Sequence, residues 1–63
     1  MSKNAHPHYL TRILRAIREL NRAVLNGMLD LTQYAVRIRT LLSGVDAAHL
    51  PIACNEAKFY MGA

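Results

Sequence analysis

Residues 10–42 read LTRILRAIRELNRAVLNGMLDLTQYAVRIRTLL, and this stretch decides the fold. Its first half places apolar residues at Leu10, Ile13, Leu14, Ile17, Leu20, Val24 and Leu25. Steps of three and four are the mark of one buried helical stripe. At about 100° per residue, Arg12, Arg15, Arg18 and Arg22 gather on the opposite arc. Asn26-Gly27 closes the run, since glycine takes the left-handed position after a helix C-terminus without steric cost. Upstream, Pro7 stands where a first-turn proline gives up no helical hydrogen bond. A helix over about 8–26 is predicted.

The second half opens with Asp30 as an N-cap and Gln33 three residues later, the spacing of a capping box. Leu29 and Tyr34 occupy the two positions of a hydrophobic staple. The stripe then runs through Leu31, Tyr34, Ala35, Ile38, Leu41, Leu42 and Val45, with Gly44 as the stop. Arg37 and Arg39 flank it, where their stems cover apolar surface and their guanidinium groups stay wet. A second helix over about 31–43 is predicted. So short a link between two helices favours an antiparallel helical hairpin.

Beyond residue 45 the pattern weakens. Asp46 is a candidate cap for a turn through Ala47, Ala48 and His49, and Leu50 is biased away from helical geometry by the proline that follows. Pro51 is then placed to open a short last helix through Ile52, Ala53, Cys54, Ala57 and Tyr60, ended by Gly62. The fold class expected is all-α: a hairpin plus a short C-terminal helix, in one domain over 1–63, with 1–6 as a flexible polar lead.

The chain has 63 residues, 52% of them hydrophobic, with one cysteine and a formal charge of +4. It is too hydrophobic for a disordered chain and too short for a doubly wound, barrel or P-loop enzyme. One cysteine makes no internal disulfide, and a domain this small buries only roughly 60% of its unfolded surface. Association is one remedy. Each stripe is wider than a two-helix contact needs, so a second copy forming a four-helix bundle is expected. Leu10, Ile13, Ile17, Leu20, Val24, Leu31, Tyr34, Ile38, Leu41 and Leu42 are the expected core and dimer residues. Val36, between Thr32 and Thr40, points away from the stripe.

No apolar run reaches membrane-spanning length, because the arginines interrupt the longest candidate. No signal-peptide pattern opens the chain, and a free thiol suits a reducing compartment. A cytoplasmic protein is expected.

Chemistry is sparse. Asp30 and Asp46 have capping roles, and Glu19 sits at salt-bridge spacing from Arg15 and Arg22, leaving no acid pair for proton transfer. Cys54 beside His49 reads as a buried cysteine rather than a nucleophile with its base. His6, His8 and His49 with Cys54 lack any standard zinc spacing. No catalytic residue, metal or cofactor is expected.

Two surfaces remain. Arg12, Arg15, Arg18 and Arg22, with Lys3 before them, are able to track a phosphate backbone, although a solvated helix face accounts for them as well. A helix-turn-helix fails as the vehicle, because Pro51 falls inside the would-be recognition helix. A membrane-surface helix would compete for the stripe the core requires. Ile52, Phe59, Tyr60 and Met61 collect the residue types that anchor protein interfaces, and the same aromatics are able to close the core.

Residues 20–42, with Gly27, Asp30, Gln33, Tyr34, Arg37 and Leu41-Leu42, resemble the short helical hairpins of the SHOCT type. The acidic residues typical beside the aromatic are absent here. The resemblance implies an oligomerisation or interaction module without catalysis. The expected function is a small homodimeric regulator that binds and modulates or inhibits a host or cellular protein through Ile52, Phe59, Tyr60 and Met61. Stand-alone regulators of this size suggest, by analogy, a phage or plasmid origin. The alternative is a dimeric bundle that binds RNA or DNA through Arg12, Arg15, Arg18 and Arg22.

Overall fold

A computed structural model describes residues 7–61. Helix α1 spans His8–Leu25, α2 spans Leu31–Leu42 and α3 spans Leu50–Glu56, with a 3-10 turn over Ala47–His49 leading into α3. No strand occurs among the described residues. The polar lead, Lys3 and His6 within it, and the Gly62 stop lie outside them.

Local chemistry explains each boundary. Pro7 is the N-cap of α1 rather than a residue within its first turn. Its carbonyl accepts the N–H groups of Leu10 and Thr11 at 3.0 and 3.1 Å. At the other end Gly27 adopts φ +74°. The Met28 N–H reaches back to the Ala23 carbonyl and the Gly27 N–H to that of Val24, at 2.9 and 3.0 Å. This is the paired bonding of a Schellman cap, which satisfies carbonyls the helix itself cannot. Asp30 caps α2 as expected, its carboxylate accepting from the Gln33 N–H at 2.8 Å.

Gly44 stands just past the end of α2, as expected of a stop, and its backbone is not left-handed. Instead α2 tightens: the N–H groups of Gly44 and Val45 bond to the Leu41 and Leu42 carbonyls, and Ser43 Oγ donates to the Thr40 carbonyl at 2.6 Å. Leu50 also departs from expectation. It is helical, at φ −55° and ψ −42°, although proline follows it. Pro51 falls at the start of α3, where its missing N–H would have no helical partner anyway. The helix stops at Glu56, so Tyr60 lies outside it.

The core draws on every element. Leu10, Leu14 and Ile17 of α1 meet Tyr34 and Ile38 of α2, Val45 of the following turn, and Ala53 and Ala57 at the C-terminal end. Complete burial of a large aliphatic side chain stabilises by about 1.5–3 kcal/mol, and Leu10, Ile17 and Ile38 are completely buried. Ile13, Leu20, Val24, Leu41 and Leu42 pack against this cluster and stay partly exposed. Leu31, expected inside, is 58% exposed. It sits in the first turn of α2, and Tyr34 one turn on fills the inward position. Leu25 likewise leaves the stripe, because α1 ends there.

One polar residue is buried with them. Asn21 continues the phase of Leu10, Leu14 and Ile17 and is 7% exposed. Its Oδ1 accepts from the Tyr34 hydroxyl at 2.5 Å, and its Nδ2 donates to the Glu56 carbonyl at 2.9 Å. The Phe59 N–H donates to the same hydroxyl at 3.3 Å. Three segments are thus joined with no buried side-chain polar atom left unpartnered among the described residues.

Candidate interaction surfaces

The arginine face stands in water as the helical wheel requires: Arg12, Arg15, Arg18 and Arg22 are all exposed on α1. One of them is engaged. Arg18 Nε lies 3.3 Å from Glu56 Oε2, an ion pair tying α1 to the end of α3. The expected pairing of Glu19 with Arg15 or Arg22 is not formed. Glu56 takes the pairing role instead, which no spacing within α1 announces.

The C-terminal patch is divided. Ile52 and Met61 are exposed, Met61 strongly so. Phe59 and Tyr60 are half-buried against the core. The Phe59 ring meets Tyr34 edge-on, with centroids 5.7 Å apart at 70°, an arrangement aromatic quadrupoles favour. The face of Phe59 turned to Tyr34 is therefore closed to a partner.

Burial pushes the Tyr34 phenol above its ordinary pKa of 10.0. The Phe59 N–H opposes this by stabilising the phenolate, and the nearby Glu56 carboxylate adds to it.

His49 and Cys54 separate into different settings. His49 Nδ1 lies 2.7 Å from the Tyr9 hydroxyl, which also accepts from the Asp46 N–H at 3.2 Å. Asp46 itself makes no side-chain cap. Cys54, expected to be buried, is an exposed free thiol, while Ala53 beside it turns inward. Small Ala53 and Ala57 are what let α3 come close to the core. Among the described residues, no three His, Cys, Asp or Glu side chains converge as a metal site. None of the described helices is long and apolar enough to cross a membrane.

Two apolar features lie beyond what a helical wheel shows. Leu25, Met28 and Leu31, respectively 73%, 79% and 58% exposed, crowd the link between α1 and α2. They belong to three different local elements, so no single periodicity brings them together. The other is a groove of about 670 Å³ between α1 and α2. Ala16, Leu20, Val36 and Leu41 supply its apolar lining, and Glu19, Gln33, Arg37 and Thr40 its polar one. Val36, half exposed, is part of this groove. Arg12, Arg15, Arg18 and Arg22 are not among the lining residues. No protein-family model, curated protein or solved structure matches this chain.

Proposed function

We propose that this chain is a small non-enzymatic regulator: an antiparallel helical hairpin, closed by α3, that self-associates and engages a partner protein in the cytoplasm. The hairpin is supported by reversed contacts, with Asn21 late in α1 meeting Tyr34 early in α2, and Tyr9 early in α1 meeting Asp46 just beyond α2. The resemblance of residues 20–42 to SHOCT-type hairpins points the same way.

The observation that carries the reading is the set of large apolar side chains left in water: Leu25, Met28, Leu31, Val36, Ile52 and Met61. Single exposed apolar residues are ordinary on any surface. Three of them, Leu25, Met28 and Leu31, fall within seven residues of chain around one link, and such a concentration is the material of an interface. The partner's chemistry follows from the charge. With a formal +4, and with Arg22 and Lys58 exposed three residues along the chain from Leu25 and Met61, the matching surface is apolar with an acidic rim. An exposed Cys54 thiol is compatible with a reducing compartment.

Affinity capture from nuclease-treated extract of the source cell tests this, comparing the native chain with Ile52→Ser/Met61→Ser and with Leu25→Ser/Met28→Ser/Leu31→Ser. A defined protein retained by the native chain and lost with one variant supports the reading. Identical capture by all three contradicts it.

A second reading rests on one further observation, that Arg12, Arg15 and Arg22 stay exposed and outside the Arg18–Glu56 pair. It makes the arginine face a phosphate-backbone contact. Binding would then fall steeply with salt, and Arg15→Glu/Arg22→Glu would abolish it. No nucleic-acid binding at low salt, or unchanged binding by that variant, dismisses it.

A further inference from the structure

We propose that the groove between α1 and α2 seats a second copy of this chain, with Glu19 of each copy against Arg37 of the other. The inference rests on the hairpin and self-association just proposed and assigns them a face and a register. Glu19 on α1 and Arg37 on α2 line the same groove from opposite helices. Both are exposed, and neither belongs to the one salt bridge among the described residues. The Asn21–Tyr34 bond joins the two helices. Counted antiparallel from it, Glu19 is level with Arg37 to within a residue.

A twofold contact is reciprocal, so a residue that meets another in the partner is met by it in turn. A twofold axis running along the groove carries α1 of one copy over α2 of the other and preserves height along the helices. Two residues that line one groove at the same level therefore face each other across the axis. Opposite charges at those two places form two ion pairs; like charges would repel twice. The apolar lining between them, Leu20 and Val36 included, supplies the part that water leaves.

Charge favours this face over the others. Two copies each carrying a formal +4 repel wherever their arginine faces meet. The groove lining instead holds one acid and one base, so the contact at its centre joins opposite charges. A stable interface takes roughly 800 Å² from each partner, about a sixth of the 4723 Å² accessible here.

The test is charge reversal with mixing, read by sedimentation velocity, with circular dichroism confirming the helices of each variant. Glu19→Arg and Arg37→Glu should each weaken self-association about tenfold or more. Mixed in equal amounts, the two variants should form a heterodimer at close to native strength. One of its two contacts then joins the introduced arginine to the introduced glutamate, and the other joins the native Glu19 to the native Arg37. The double variant E19R/R37E should self-associate like the native chain. If the native chain dimerises and the single reversals do not weaken it, the groove belongs to another occupant and this assignment is wrong, while self-association stands. If mixing fails to restore association that both reversals removed, the two residues do not meet across a dimer. If the native chain is monomeric throughout, self-association fails and this assignment with it.

Discussion

The Tyr34 hydroxyl donates to Asn21 Oδ1 across 2.5 Å inside the core, and it is the joint at which all three helices are tied. Asn21 passes the link to the last carbonyl of α3 at Glu56, and Tyr34 accepts from the Phe59 N–H beyond it. The consequence is that the C-terminal segment is held by hydrogen bonds to buried groups as well as by Ala53 and Ala57.

Removing the hydroxyl should therefore cost more than an average hydrogen bond. Tyr34→Phe leaves both Asn21 Oδ1 and the Phe59 N–H without their partner, a loss of about 1–3 kcal/mol. Urea denaturation measures it. Asn21→Ala should be non-additive with Tyr34→Phe, since both act on one network; full additivity would show that the hydroxyl and the amide do not interact.

Tyr34 also predicts an alkaline limit. Its pKa in the folded chain is raised above 10.0, chiefly by burial, so the unfolded chain loses this proton first as pH rises. The stabilisation is complete below pH 10 and falls away as pH climbs through the folded-state value. Stability profiles of the native chain and Tyr34→Phe should converge over that range. A gap that stays constant to the highest pH at which the chain folds would exclude the linkage.

The two interior glycines should respond oppositely to alanine. Gly27 holds φ +74° with nothing within 4 Å of an added Cβ, so the penalty at Gly27→Ala is purely that of the left-handed backbone, roughly 1–2 kcal/mol. At Gly44 an added Cβ meets the Leu41 carbonyl oxygen at an ordinary 3.7 Å and φ is not left-handed. Gly44→Ala should stabilise by about 0.4–1 kcal/mol through the unfolded state. Thermal melts of both variants decide the matter, and a destabilised Gly44→Ala would count against the tightened end assigned to α2.

Leu31 and Ile38 share the stripe of α2 and differ in burial. Ile38→Ala should cost about 2–5 kcal/mol, as cavity-forming substitutions do. Leu31→Ala, at an exposed site, should stay within about 0.5 kcal/mol in the monomer. Chemical denaturation at low concentration compares them. Equal losses would restore Leu31 to the core.

What was legible in the sequence was local or periodic. The Asp30–Gln33 cap, the Gly27 turn and the inward positions of Leu10, Ile17, Tyr34 and Ile38 follow from spacing, and the structure has them. Asn21 lies on the same phase as Leu14 and Ile17, so its burial carried a signal; a stripe read from apolar residues alone passes over it. Its partners, 13 and 35 positions away, carried none. Leu50 went the other way: a local rule about the residue before proline yielded to a turn that runs directly into α3. Residue type alone puts Cys54 inside, whereas the small alanines beside it decide which face α3 buries. The groove pairs residues of two helices, so it depends on packing that no single helical wheel contains.

Self-association is the claim on which the functional reading leans most, and sedimentation equilibrium of the untagged chain over a wide concentration range tests it directly. The mass is expected to rise with concentration to twice the 7.1 kDa of the chain. A folded species that remains at 7.1 kDa at every concentration would contradict it.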